Sequence, residues 1–159
     1  MGLGEMIKVR PMAADDADAL GLVMWDAIRH GHSRYTSAQR KAWQPEPPQG
    51  LKWAAKLGGQ RVWVASVRET PLGFLALAEG GYIDLAFVVS QKQGQGVFSA
   101  LYAALEAHAR MCGIKRLWTH ASLMAEPAFA ARGFHVIARE TVQRSGETLA
   151  RAGMEKVLT

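Results

Sequence analysis

One cysteine, Cys112, stands in 159 residues, so no intrachain disulfide can form and the chain reads as one made for a reducing compartment. No apolar run reaches the roughly 18 residues of a membrane span, and Met1 to Arg10 lack the basic flank and apolar stretch of a secretory leader. A cytoplasmic location is therefore expected, with no membrane partner. No block of like charges occurs either. The 19 Lys and Arg that outnumber 14 Asp and Glu are scattered, with Arg29, Arg34, Arg40 and Lys41 the densest group. A nucleic-acid-binding domain would cluster them with exposed aromatics on one face. The formal charge of +5 reads instead as a basic solvated surface, with no nucleic-acid partner expected. Low-complexity tracts and internal repeats are absent, apart from Gln44 to Gly50, where Pro45, Pro47 and Pro48 dictate a loop. What is present is apolar: 49% of residues against 21% charged, which excludes a disordered chain and allows a sizeable core in one domain over 1–159, with its core at 7–158.

The periodicities order the chain. Ile7 to Arg10 alternates as a short strand. Pro11 and the acids Asp15, Asp16 and Asp18 open a helix in which Ala17, Leu20, Met24, Ala27 and Ile28 recur at helical spacing, ending near Gly31. Ser37 to Trp43 and Leu51 to Leu57 predict two shorter helices. Val62 to Val67, Leu72 to Ala78 and Tyr82 to Val89 are β-rich runs separated by turn residues, the pattern of an antiparallel meander. A helix from Val97 stops at Gly113, Ile114 to Ala121 is the next strand, a short helix spans Pro127 to Arg132, and Phe134 to Gln143 and Thr148 to Leu158 form a hairpin about Ser145-Gly146. This order predicts one α/β (α+β) domain, a mixed, mostly antiparallel sheet of about six to seven strands flanked by helices.

The chemistry concentrates where the strand Phe87-Val88-Val89 runs through Ser90-Gln91-Lys92-Gln93-Gly94-Gln95-Gly96 into a helix beginning Val97-Phe98-Ser99. Glycines permit close backbone approach, and the unpaired N–H groups of a helix's first turn attract an anion. A phosphate site and a structural turn share this spacing. A P-loop is excluded, because no Gly-Lys-Ser/Thr follows, and a dinucleotide fold would need a parallel βαβ unit with an acid after its second strand.

At this loop the chain resembles the GNAT superfamily of acyl-CoA-dependent N-acetyltransferases, whose loop reads Gln/Arg-x-x-Gly-x-Gly/Ala, matched by Gln93-Gly94-Gln95-Gly96-Val97-Phe98. Ser122, Ala125, Phe129, Gly133 and Phe134 match a second family element, and the likeness extends from Ile7-Lys8-Val9-Arg10-Pro11 to Met154-Glu155-Lys156. The resemblance implies acetyl-CoA as cofactor. Phe87, Val88 and Val89 would offer backbone groups to pantetheine, and amides of Gly94, Gln95, Gly96, Val97, Phe98 and Ser99 would hold the pyrophosphate. Gln93 would lie at the loop entrance, with Ser122 and Phe129 flanking the pantetheine arm near its thioester. Two departures stand out. Phe98 replaces a Gly or Ala and must point away from the pyrophosphate or else crowd it, and Phe129 occupies the place of a tyrosine that protonates the leaving thiolate, which a phenyl ring cannot do.

Attack on a thioester needs a neutral amine, hence a base within direct or one-water reach. Asp84, the carboxylate interrupting the apolar run Tyr82 to Val89, is the catalytic candidate, against the alternative that it faces solvent or pairs with a cation; Glu79 and Tyr82 are weaker substitutes. His30, His32 and Tyr35 fall where related folds wall the acceptor pocket, and Trp43 with Trp53 could line an aromatic pocket, against core packing as the default; His30, Tyr35 and Trp43 are the candidate substrate-binding residues, and His120 can reach the site from the end of its strand. His30-x-His32 lacks a second ligand pair, so no metal is expected. Cys112 is expected to be a buried small hydrophobe. The reading is an N-acetyltransferase acting in a ternary complex on a small-molecule or peptide amine, with a homodimer left open. The alternative is a non-catalytic CoA-binding module of the same fold.

Overall fold

The structure, a computed structural model, describes residues 6–159; the first five residues of the expected domain lie outside them. Seven strands form one sheet in the order β1-β2-β3-β4-β5-β7-β6: β1 (Lys8–Pro11), β2 (Arg61–Val67), β3 (Thr70–Ala78), β4 (Tyr82–Val88), β5 (Arg116–Ser122), β6 (His135–Arg144) and β7 (Glu147–Val157). All pairings are antiparallel except β4 with β5. Five helices accompany them: α1 (Ala17–His30), α2 (Ser37–Trp43), α3 (Gly50–Gly58), α4 (Val97–Met111) and α5 (Glu126–Ala130). No helix among the described residues is long and apolar enough to cross a membrane.

Strand alternation sends side chains into two apolar layers, one on each face of the sheet. Val62, Val64, Phe74, Ala76, Leu85 and Phe87 meet Leu20, Met24 and Ile28 of α1 and Trp53 and Leu57 of α3. Trp63, Leu75, Leu77 and Leu117 meet Leu101 and Leu105 of α4, with Phe129 and Phe134 beside them. α2 starts at a capping box, Thr36 with Gln39, and Gln39 also donates to the Thr148 carbonyl at 2.8 Å, which ties α2 to β7. A polar cluster joins the other face. Lys156 Nζ on β7 meets Glu106 Oε1 of α4 at 2.6 Å, and Tyr102 and Arg110 donate to the same carboxylate.

Two irregularities position the site. β4 and β5 pair only at Tyr82↔Trp118 and Ile83↔Thr119 and then diverge. In β4, Ile83 and Leu85 face opposite layers although they are two residues apart, because Leu77 pairs with Ile83 and Ala76 with Leu85, leaving Asp84 as the extra residue of a β-bulge. The apolar run is thus interrupted at a break in the ladder. Cys112 differs from expectation: it is exposed, with Sγ 3.5 Å from His108 Nε2, because α4 ends one residue earlier and leaves it outside the packed face.

Candidate active site

The parting of β4 from β5 opens two cavities, one at each side. The larger, about 610 Å³, runs from the α4 N-terminus along α5; the smaller, about 320 Å³, lies on the α1 face; Ala86, Phe87 and Ala125 line both. The larger cavity suits an anionic ligand with an apolar arm. Gly94 and Gly96 adopt φ of 75° and 90° with no atom within 4 Å of where a Cβ would stand, so the loop backbone is open to approach. No side chain caps α4, leaving its first-turn N–H groups available. Arg132 donates to Ser99 Oγ at 2.5 Å, while its buried Nε has no hydrogen-bond partner among the described residues. Backbone N–H groups and a guanidinium are donors of the kind a phosphate accepts from. Phe98, Leu123, Ala125, Ala128 and Ala131 supply apolar lining.

The loop is held from outside. Asp26 of α1 accepts from the Ser90 N–H at 2.7 Å. Gln93 accepts from the His32 N–H and donates to the Val88 carbonyl, each at 2.9 Å, so its side chain is a strut between the end of α1 and β4. Gly31 makes room for it, since a Cβ there would stand 2.5 Å from Gln93 Nε2.

Several of the expected contact groups have partners within the chain. Val89 spends its N–H on Leu72 and its carbonyl on Lys92, and alternation turns the Phe87 backbone toward β3 as well. The groups facing the gap therefore belong to Ala86, which sequence reasoning missed, and Val88, whose carbonyl already accepts from Gln93. Period-two alternation could have identified Ala86 had the bulge been known. The Gln95 side chain folds onto the Gln91 carbonyl at 2.9 Å outside the cavity, and Val97 is buried in the core, leaving only its N–H. Phe98 leans onto Tyr102 and Phe129, with ring centroids at 6.1 and 5.2 Å, and so clears the glycines. Phe129 is fully buried between Phe98 and Phe134. Ser122 lines the smaller cavity, and its Oγ accepts from the Ala125 N–H at 3.1 Å, which fixes the turn after β5.

Tyr35 and Trp43 line the smaller cavity, edge to face at 5.8 Å. Tyr35 is pinned there, its hydroxyl donating to the Ala150 carbonyl and accepting from the Leu123 N–H, and burial raises its pKa. His30 is exposed against Trp25 and lines neither cavity; the residue after next, His32, lines the larger one. Asp84 does line the smaller cavity, but its Oδ2 is engaged: Gln60 Nε2 donates to it at 2.8 Å and Lys56 Nζ stands 3.4 Å from it. Beside it, Tyr82 Oη lies 2.9 Å from His120 Nδ1, and His120 Nε2 has no partner among the described residues. Burial first, then Asp84, raises the Tyr82 pKa, so the hydroxyl stays neutral. No group of three or more His, Cys, Asp or Glu among the described residues could hold a metal ion.

Residues 33–157 match the family model of the acetyltransferase (GNAT) domain. A curated relative, the uncharacterized N-acetyltransferase YafP of Escherichia coli (strain K12), is 30% identical over 88% of this chain and 89% of its own. A GCN5-related N-acetyltransferase structure from Rhodopseudomonas palustris superposes with a TM-score of 0.87 at 30% identity, covering 99% of this chain and all of that one. The yncA protein of Salmonella typhimurium, solved with its cofactor acetyl-CoA, gives a TM-score of 0.69 at 19% identity, over 97% of this chain and 95% of that one.

Proposed function

Because the chain belongs to the GNAT acetyltransferase family, we propose that it transfers an acetyl group from acetyl-CoA to a primary amine by direct attack in a ternary complex. The observation that carries this is the meeting of a phosphate-suited cavity and a polar cavity at Ala86, Phe87 and Ala125, where β4 and β5 part. Amides from Gly94 to Ser99, with Arg132, would hold the pyrophosphate, and the gap-facing backbone of Ala86 and Val88 would receive the pantetheine arm. When bound, acetyl-CoA supplies a thioester at which a C–N bond forms as the C–S bond breaks and the thiolate leaves. No tyrosine hydroxyl stands at position 129; a thiol of pKa about 8.5 leaves tolerably without an acid.

The proton of the incoming ammonium goes to His120. In the tautomer whose Nδ1–H donates to Tyr82 Oη, Nε2 carries the lone pair, and Tyr82 orients the ring. Asp84, the base expected from the sequence, is better used as a fixed negative charge, since Lys56 and Gln60 both hold its Oδ2. Tyr35 and Trp43 wall the acceptor. A non-catalytic CoA-binding module is the second reading, favoured by Phe129 and by the engagement of Asp84.

Calorimetric titration with CoA and acetyl-CoA tests the cofactor site. Micromolar binding is expected, and Gly96→Asp should abolish it by placing a carboxylate at the pyrophosphate. No binding at millimolar ligand overturns the reading. Acetyl-CoA bound but never consumed with any amine would leave the second reading standing.

A further inference from the structure

We propose that the amine acceptor also carries a carboxylate, received by Arg144, which the β6–β7 hairpin carries to the lining of the smaller cavity; this rests on the acetyltransferase reading. Four residues of fixed charge line that cavity: Lys56, Asp84, Arg144 and Arg151. Lys56 and Asp84 offset one another at 3.4 Å, and Arg151 is taken by Glu140, to which its Nε donates at 2.6 Å. Arg144 is left over. Its guanidinium donates only to the carbonyl of its neighbour Gln143, at 3.1 Å, and makes no ion pair among the described residues, not even with Glu147, its register partner across the hairpin. The cavity therefore holds one uncompensated positive charge, although an amine acceptor arrives as a cation.

The placement of the charges resolves this. Asp84 and His120 sit where β4 and β5 begin to part, the end where the reacting nitrogen must stand. Arg144 is the last residue of β6, carried over the cavity by a hairpin that Tyr35 and Gln39 fasten to the α2 region. An acceptor with its ammonium toward Asp84 and a carboxylate toward Arg144 matches both charges, and a guanidinium is suited to bidentate carboxylate binding. A diamine places its second cation against Arg144. The cavity thus selects amino-acid-like acceptors, free or at an acidic peptide end, over polyamines.

The test compares 4-aminobutyrate, butylamine and 1,4-diaminobutane, and α-amino acids with their decarboxylated amines, in wild type, Arg144→Ala and Arg144→Glu. Thiol release gives kcat/KM, and titration of the CoA-loaded protein gives affinity. Arg144 is exposed and holds only its neighbour's carbonyl, so these variants fold. The carboxylate-bearing member of each pair should be preferred by about 10-fold or more, chiefly through KM, with the preference shrinking as salt is added. Arg144→Ala should bring the pairs near parity, and Arg144→Glu should favour the diamine. Parity or reversal in wild type, a preference that survives Arg144→Ala, or a panel neither consumed nor bound overturns the inference. CoA binding in the same titrations separates the failures: with CoA bound this inference falls alone, and without it the acetyltransferase reading falls too.

Discussion

At the scale of single residues, the site's polar groups divide into those already engaged and those left open. Asp84 Oδ2, Ser122, Tyr35 and Gln93 are spent on protein partners, whereas His120 Nε2 is not. An open donor or acceptor in a cavity is available to a ligand, and one held by neighbours serves to shape it. His120→Gln should lower kcat by about 10²-fold while leaving CoA affinity unchanged, read by steady-state kinetics beside calorimetry. Tyr82→Phe should act in the same direction but more weakly, because it removes only the group that orients the ring. The glycine loop, Tyr35, Trp43 and His120, singled out from the sequence, all line one or the other cavity. The position of Arg132 was not legible, since it depends on the chain after α5 folding back onto Ser99, a contact no local spacing announces.

The elements themselves were largely readable. The first helix, the pair of short helices, the meander and the hairpin about Ser145-Gly146 lie within a few residues of their expected bounds, because each has its own period and its own stop signals. The relations among elements were not readable in the same way. The bulge at Asp84 leaves no mark but a polar residue in an apolar run, and the insertion of β7 between β5 and β6 is a long-range choice. Gln93 shows what such relations contribute. Its side chain joins the end of α1 to β4, so Gln93→Ala should cost about 1–3 kcal/mol by removing two hydrogen bonds, as read in urea denaturation. The same change should weaken CoA binding, since the loop loses an anchor; unchanged affinity would show that Asp26 suffices to hold it.

At the scale of the whole molecule, the Glu106 cluster couples α4 to the far side of the sheet. Burial alone would raise the Glu106 pKa, but Lys156, Tyr102 and Arg110 outweigh it and bring it to about 2, from an ordinary value of 4.5. A carboxyl that binds its proton less tightly when folded stabilises the fold fully above its unfolded pKa, and that stabilisation is lost as pH falls from about 4.5 toward 2. Glu106→Gln should therefore lower stability at neutral pH and flatten its fall over that window, measured as the urea midpoint against pH. Mechanically, the sheet is two plates, β1–β4 and β5–β7–β6, joined along a seam two residue pairs long. Under load such a seam yields before the ladders on either side of it. A ligand arm lying against β4 in the gap would act as a rivet across that seam, so stiffness itself, and not only chemistry, would change with cofactor binding.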